Sequence, residues 1–361
     1  MEKKLSILAL LLLLCLPAAP AGASTVTDAL GRRVDVPEPE SISRILALGC
    51  SMGFITSLGA QDLVLAVEDI DKAPLAKPYI IANRDRFRDL PVVGKAGAAR
   101  RYDFERIIGL KPDVIFIITS DPSEPELMQR KLRVPVLALS QGQPLHNEDV
   151  YLESLALVGR VLGREEQAAQ LTAGVRNLTG RLRDHPVPQQ QALAYVGGLS
   201  YKGNQDIKST AGDFLPLKLA GIANIADTAG RKGNCFINKE FLLTANPPLI
   251  FIDANGLPLI QENIKAEPHY YQRLKAMTSG NTWLLLPHTT IFNTPEIMYI
   301  NAFFMAKAAY PEAYAGLDLK ALADEVFVLF NGVPLYEEMV RITGPVGRLH
   351  LTDKGLAHAA P

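Results

Sequence analysis

Short apolar segments alternate with amphipathic segments along most of the chain, and this alternation predicts the fold class. The apolar segments lie at residues 45–48, 64–67, 114–118, 136–139, 193–196, 249–253 and 283–286. Segments of this length, rich in Ile, Val and Leu, predict buried strands. Helical patterns, such as those from Met52 to Leu58 and from Phe104 to Leu110, lie between them. Strands that alternate with helices predict an α/β fold, in which helices cover a parallel sheet.

The alternation stops at one long helical pattern, from Tyr151 to about Arg183. This stretch contains no proline, and its apolar residues recur at helical spacing. Strands and helices alternate again after it. We therefore predict two Rossmann-like lobes with parallel-rich sheets, at residues 24–149 and 185–361, joined by one long backbone helix at residues 150–184.

Two segments, one in each predicted lobe, share a pattern. Residues 105–117 read ERIIGLKPDVIFI, and residues 240–252 read EFLLTANPPLIFI. In each segment a glutamate opens a helix, a proline follows seven residues later, and a strand containing Ile-Phe-Ile comes next. The helix dipole favours an acid near a helix N-terminus, which is a purely structural reason for Glu105 and Glu240. The shared order of glutamate, proline and strand favours equivalent positions in two similar lobes.

The first 23 residues have the composition of an export signal. Two lysines precede an apolar run from Leu5 to Leu16, and small residues follow up to Ala23. This pattern predicts a secretory signal peptide at residues 1–23, cleaved after Ala23. The run is about 12 residues, shorter than the roughly 20 that span a bilayer, which disfavours a membrane anchor. Leu14 precedes Cys15, where a lipid-attachment site requires a small residue, so a lipoprotein is also disfavoured.

The charge balance excludes one class of partner. The chain has 361 residues, with 37 basic and 38 acidic side chains, and this length fits two domains. Because there is no basic excess, the sequence gives no electrostatic basis for a general nucleic-acid-binding protein. The predicted mature chain keeps Cys50 and Cys235, and two distant thiols are not a disulfide framework. The sequence leaves open whether they are free, paired or ligating.

Several further motifs occur in a characteristic order. They are DALGRRVDVP at residues 28–37, RILALG at 44–49, the glutamate segment at 105–117, LVGRVLGR at 157–164 and, more loosely, YVGG at 195–198 and AGIANI at 220–225. In this order and spacing the chain resembles the periplasmic substrate-binding proteins of ABC importers for iron–siderophore complexes, haem and cobalamin. The resemblance covers the first lobe and the backbone helix well and the second lobe less closely.

The resemblance implies a function and a partner. It implies two lobes on a rigid helical backbone, with the ligand in the cleft between them and no cofactor. It also implies a periplasmic monomer that docks onto an ABC permease dimer in the inner membrane through one surface glutamate per lobe. These two positions match Glu105 and Glu240. Many relatives carry a glutamate in the first helix, where this chain has Gly53.

Loops that follow strands supply the candidate cleft residues, because ligands of α/β sheets bind at the carboxyl ends of strands. The ten candidates are Ser51, Lys95, Arg100, Arg101, Tyr102, Asp121, Tyr201, Lys202, Asn255 and His288. Cations beside aromatic rings suit an anionic, partly planar ligand, such as a ferric chelate with carboxylate or catecholate arms. For the arginines, a solvated helix face is the alternative interpretation.

The sequence offers two alternative functions. A protein that binds a free metal ion needs several histidines and carboxylates around one site, but the six histidines occur singly. An exported α/β hydrolase would use Ser200 in GLSYKG at residues 198–203, where the spacing is one residue longer than that of a nucleophile elbow. We therefore predict a binding protein, not an enzyme, that captures an iron chelate or a related metal complex such as haem or cobalamin.

Overall fold

The computed structural model describes residues 23–97, 99–142, 147–184, 191–288 and 294–359. The predicted signal peptide at residues 1–23 therefore lies outside the described residues, apart from Ala23. Within these ranges, no helix combines the length and the apolar character that a membrane span requires.

Sixteen short strands occur in the described part of the chain. They are β1 Ala23–Thr27, β2 Arg33–Pro37, β3 Ile45–Leu48, β4 Val67–Glu68, β5 Val92–Lys95, β6 Arg101–Tyr102, β7 Val114–Ile118, β8 Val136–Leu139, β9 Leu193–Gly197, β10 Ser209–Gly212, β11 Ala223–Asn224, β12 Gly233–Phe236, β13 Leu249–Asp253, β14 Thr282–Leu285, β15 Gly347–Thr352 and β16 Gly355–His358. Six of the seven apolar segments selected from the sequence are strands, to within one or two residues at each end.

Helices separate most of these strands. The α-helices are α1 Met52–Ser57, α2 Pro78–Ala82, α3 Arg84–Asp89, α4 Phe104–Leu110, α5 Ser123–Leu132, α6 Glu148–Leu162, α7 Glu165–Arg183, α8 Leu215–Leu219, α9 Ile225–Thr228, α10 Lys239–Ala245, α11 Leu257–Ala266, α12 Pro268–Gln272, α13 Lys275–Thr278, α14 Pro295–Ala309, α15 Leu319–Asn331 and α16 Tyr336–Thr343. Short 3₁₀ helices cover Pro39–Ser41, Gln61–Leu63 and Asp69–Lys72.

The first lobe is built on a parallel sheet in the order β3-β7-β8. Every residue of these three strands is buried, as expected for a parallel sheet covered on both faces. The segment 64–67 is not the strand that its composition predicts. Val64 forms a single parallel bridge to Ile45, and β4 begins only at Val67, in a second small sheet with β5 and β6.

The second lobe is built on a six-stranded sheet in the order β11-β9-β13-β14-β15-β16. Its first four strands are parallel, and β15 and β16 extend it as antiparallel strands. The strands β10 and β12 form a separate antiparallel pair. The prediction of an α/β fold with two parallel-rich sheets is confirmed.

The backbone helix is divided, so the prediction of one long helix is wrong. The first helix, α6, ends at Leu162, because Gly163 adopts a left-handed conformation with φ of 62° and the chain turns there. The second helix, α7, starts two residues later and packs against α6. Gly159 allows this close approach, since a Cβ added there would lie 2.8 Å from the Cβ of Ala168.

The last helices join the two lobes. The helix α14 packs against α7 and α8, whereas α15 packs against α1 and α2 of the first lobe. Arg84 of α3 forms an ion pair at 3.5 Å with Glu338 of α16. One apolar cluster runs from the first lobe through these helices to the second. The division at residue 185 therefore separates the sheets, but residues of α15 and α16 cover the first lobe.

Candidate ligand-binding site

A small cavity lies between the first lobe and the helices α14 and α15 of the second. In the first lobe, Cys50 follows β3, Gln141 follows β8, and Lys77 precedes α2. On the other side, Thr294 to Glu296 form the start of α14, after β14. The other wall residues are Gly53, Phe54, Ser57, Tyr79, Tyr151, Phe330 and Asn331. The space is about 20 Å³, room for roughly one water-sized group, so a whole ligand requires the walls to move apart.

Two residues of opposite charge are buried at this cavity. Lys77 is 2% exposed and Glu296 is 4% exposed. Burial raises the pKa of Glu296 to about 7, although a hydrogen bond from Asn331 and the charge of Lys77 act in the opposite direction. The oxygen of the Gln141 side chain is also buried, and no described group donates a hydrogen bond to it. The cavity thus offers a cation, an acceptor and a carboxyl group that titrates near neutral pH.

Glu68 organises the loop that follows β3. Gly49 and Cys50 have φ angles of 61° and 63°, and their N–H groups donate to the two carboxylate oxygens of Glu68 at 3.1 and 2.8 Å. Glycine is required at position 49, because a Cβ would lie 2.6 Å from the carbonyl oxygen of Ile118. Burial raises the pKa of Glu68, and the two N–H groups oppose that shift. Glu68 therefore fixes the backbone on which Cys50 reaches the cavity.

Asp71 fixes a second part of the same wall. Its carboxylate accepts hydrogen bonds from the Glu68 N–H at 3.0 Å and from the Tyr79 hydroxyl at 2.9 Å. Burial, together with the nearby charge of Glu68, raises the pKa of Asp71 to about 7. The Tyr79 ring, which lines the cavity, is held in place by this bond.

In the second lobe, Asp253 links two loops at the carboxyl edge of the sheet. Its oxygens accept the N–H groups of Asn255 at 2.9 Å and of His288 at 2.7 Å. Burial raises the pKa of Asp253 to about 7, against the effect of these two donors. The His288 ring packs edge-on against Phe214, with centroids 4.9 Å apart, and burial lowers its pKa to about 4. His288 is therefore neutral at pH 7, and neither ring nitrogen bonds to a described group.

The candidates of the first lobe fall into two groups. Ser51 is buried and donates to the Phe116 carbonyl at 3.1 Å, and Asp121 accepts from both the N–H and the hydroxyl of Ser123. Both side chains are thus engaged within their own lobe. Lys95, Arg101 and Tyr102 lie on β5 and β6, the first two exposed and the tyrosine half-buried.

The guanidinium group of Arg100 is bound by groups of its own lobe. Its guanidinium donates to the Ile118 carbonyl at 3.1 Å and to the Thr119 hydroxyl at 3.0 Å, and it pairs with Glu124. These contacts tie the loop before α4 to the end of β7 and the start of α5. A ligand would have to compete with Glu124 for this arginine.

Tyr201 and Lys202 form an exposed cluster with Phe236, an aromatic residue outside the ten candidates. Tyr201 is 39% exposed and Phe236 is 45% exposed, and their rings meet edge-on with centroids 6.2 Å apart. The Lys202 ammonium lies 5.5 Å from the Tyr201 ring centroid. Tyr201 and Lys202 follow β9, at the same edge of the sheet as Asn255 and His288, whereas Phe236 ends β12.

None of the ten candidates lines the interlobe cavity. Sequence reasoning missed its two charged residues, Lys77 and Glu296, because neither directly follows an apolar strand. A signal was present in each case, since each is the one charged residue of an apolar stretch, APLAKPYII at 73–81 and TPEIMYINAFF at 294–304. A lone charge in such a stretch is typical of a buried polar site.

The repeated glutamate segments have the same local structure in both lobes. In each, a side-chain oxygen at the N-cap, from Asp103 or Asn238, accepts the backbone N–H three residues later. Each helix has seven residues, ends in a left-handed residue and leads into a central strand, β7 or β13. Glu105 and Glu240 occupy the second helical position and are exposed. The side chains of both are thus directed to solvent at equivalent places in the two lobes.

The side chains that commonly bind metal ions are dispersed in the described part of the chain. No three side chains among the histidines, cysteines and acids of this part come together as a ligand group. Cys50 and Cys235 are both free thiols. Burial raises the pKa of each, so neither is a thiolate at neutral pH.

Comparison with known proteins identifies the family. The model of the periplasmic binding protein family matches residues 49–285. The chain belongs to this family. This periplasmic binding protein is 23% identical to the molybdate-binding protein MolA of Haemophilus influenzae, over 84% of this chain and 90% of MolA. It is also 23% identical to the putative ABC transporter substrate-binding lipoprotein YhfQ of Bacillus subtilis, over 78% of this chain and 90% of YhfQ.

Solved structures share the fold. The structure of MolA bound to molybdate has a TM-score of 0.66 at 22% identity, covering 86% of this chain and 98% of MolA. That of Helicobacter pylori CeuE with Ni(II) bound has a TM-score of 0.66 at 19% identity, covering 89% and 99%. The resemblance to binding proteins of ABC importers is thereby confirmed, and these relatives are binding proteins rather than enzymes. The ligands named for the relatives differ from one another.

Proposed function

We propose that this binding protein captures an anionic metal complex in the cleft between its lobes and delivers it to the permease of an ABC importer. The first candidate ligand is an iron chelate of the siderophore type. The observation that carries it is the exposed cluster of Tyr201, Phe236 and Lys202. Two exposed aromatic rings and a cation suit the flat, negatively charged arms of such a chelate.

A compact oxyanion such as molybdate is the second candidate. It is supported by the interlobe cavity, whose space of about 20 Å³ suits a small group better than a chelate. It is also supported by the relative MolA, which is named for molybdate. Haem and cobalamin remain candidates from the family resemblance alone.

The permease contact is proposed at Glu105 and Glu240. Both glutamates are exposed, at equivalent positions on capped helices of the two lobes. Exposed ion pairs contribute little affinity in water, but two of them fix the orientation of one protein on another and speed their encounter. We further propose that residues 1–23 direct the chain to the periplasm and are then removed, which N-terminal sequencing of the exported protein would test.

A binding screen of the mature chain tests the proposed ligand class. Purified residues 24–361 are heated with ferric catecholate and ferric hydroxamate siderophores, haem, cobalamin, molybdate or Ni²⁺, and each stabilising compound is measured by calorimetry. We expect a rise in Tm with a ferric siderophore, because a ligand that binds the folded state stabilises it. A rise with molybdate alone would select the second candidate. If Ni²⁺ alone stabilised the protein, or if no compound did, the proposed ligand class would be wrong.

A further inference from the structure

Lys77 is buried at the interlobe cavity without a close counter-ion. In the described part of the chain, no carboxylate oxygen lies within 4.0 Å of its ammonium group. Its nearest aromatic contact is the Tyr79 ring, whose centroid is 5.8 Å from the ammonium nitrogen. Burying most of a lysine side chain away from any acidic partner carries a free-energy cost. Such a residue indicates a place where an anion completes the site.

The neighbouring acids do not need Lys77 as a partner. Both oxygens of Glu68 accept backbone N–H groups. Both oxygens of Asp71 are also engaged, one by the N–H of Glu68 and the other by the Tyr79 hydroxyl. A structural role for Lys77 as the counter-ion of these two acids would predict direct contacts, and the structure does not show them.

The opposite wall is also suited to an anion. It is formed by the start of α14, a helix of 15 residues, whose N-cap residue Thr294 makes no side-chain cap. The dipole of a long helix favours negative charge at this end. Glu296 lies in this first turn and accepts a hydrogen bond from Asn331. When Glu296 is protonated, it carries no negative charge to offset the positive potential of the helix end and of Lys77.

We propose that Lys77, together with the first turn of α14, binds a negatively charged oxygen of the transported ligand. This inference rests on the proposed function and narrows it, since the ligand then is a metal-centred anion with oxygen as its outer atoms. Such oxygens belong both to a compact oxyanion and to the arms of a ferric chelate. The space at Lys77 admits one atom of this size before the walls move. Lys77 is thus a specificity-determining residue that joins the ligand to both lobes.

Three variants test this role. Lys77→Met keeps the length and apolar stem of the side chain but removes its charge, and Lys77→Arg keeps the charge. Lys218→Met is the matched control, because Lys218 lines a separate, larger cavity of about 420 Å³ in the second lobe. Calorimetry measures the affinity of each folded variant for sodium molybdate and for a ferric catecholate siderophore, and urea unfolding confirms that the variants are folded.

We expect Lys77→Met to weaken binding of the cognate anion at least tenfold, Lys77→Arg to keep most of the affinity, and Lys218→Met to match the wild type. The anion that loses affinity in Lys77→Met, either molybdate or the siderophore, is the source of the oxygen that Lys77 binds. If the wild type binds one of the anions and Lys77→Met binds it equally well, the inference is wrong and the proposed function stands. If the wild type binds neither anion, the ligand class fails and the inference fails with it.

Discussion

Asp253 is expected to make the stability of this protein fall as the pH rises. Its carboxyl group is fully buried, and burial raises its pKa from 3.8 to about 7. In the folded state Asp253 therefore stays protonated in a range where the unfolded chain has already released the proton. Between these two pKa values the folded state binds more protons, so a higher pH favours unfolding.

The magnitude follows from the size of the shift. Each pKa unit corresponds to about 1.4 kcal/mol, so a shift of roughly three units lowers the free energy of unfolding by about 4 kcal/mol in total. The loss begins near the unfolded pKa of 3.8 and is complete above the folded pKa of about 7. About 3 kcal/mol of it falls between pH 5 and pH 8, a range that is convenient to measure.

The substitution Asp253→Asn isolates this effect. Asparagine cannot ionise and keeps one acceptor oxygen for the two N–H groups of Asn255 and His288. We expect it to cost about 1–3 kcal/mol at every pH, because one buried N–H loses its acceptor. The difference in stability between wild type and variant should then change by about 3 kcal/mol from pH 5 to pH 8, in favour of the variant.

Urea unfolding of the ligand-free mature protein at pH 5, 6, 7 and 8 measures this difference. Asp121→Asn is the control, since Asp121 is exposed and its hydrogen bonds from Ser123 lower its pKa, so it does not titrate in this range. Parallel pH curves for the wild type and Asp253→Asn would refute the reasoning, because Asp253 would then be ionised in both states.

Four further outcomes are expected. Glu105→Ala combined with Glu240→Ala should leave ligand affinity unchanged and reduce uptake in cells several-fold, and wild-type uptake would contradict the docking assignment. Tyr201→Ala should weaken binding of a ferric siderophore about tenfold without a change in Tm; unchanged affinity would remove the exposed cluster from the site. Gly53→Ala should fold, because a Cβ at Gly53 has 3.9 Å to its nearest neighbour. The added methyl group should reduce affinity by occupying part of the cavity, and unchanged affinity would place the ligand elsewhere. Affinity for an anion should fall as the pH rises from 6 to 8, because Glu296, with a pKa of about 7, becomes negative. Calorimetry should show that Glu296→Gln removes this pH dependence of affinity. A similar pH dependence in the variant would assign the effect to another group.

The strands of the fold were predictable because a buried parallel strand appears in the sequence as a short apolar segment. The segments at 114–118 and 249–253 coincide with β7 and β13, and their residues are all buried. The division of the backbone helix was not predictable from periodicity. Four glycines lie within residues 151–183, and helical spacing alone does not reveal that Gly163 adopts a left-handed conformation. That conformation depends on the packing of α6 against α7, which is a tertiary property.

Only part of the candidate site was predictable from the sequence. The rule that ligands bind after strands selects Tyr201 and His288, and both lie at the carboxyl edge of the second sheet. The same rule overlooks Lys77, which lies after a 3₁₀ helix and an irregular segment. It also selects Arg100 without showing that Glu124 neutralises it, because the two residues are brought together only by the packing of α5.

The repeated and the unrepeated parts of the chain point to a separation of two recognition tasks. The glutamate segments have the same local structure in both lobes, and two like contacts suit a partner built from two like subunits. Lys77 and Glu296 lie in segments whose sequences differ, as expected if one asymmetric ligand is bound by different groups from each side. Since Glu105 and Glu240 are exposed on helices that do not line the cavity, changes there should add to changes at Lys77 without coupling. In the proposed function, the permease contact is thus constant, while the cavity residues determine which anion is carried.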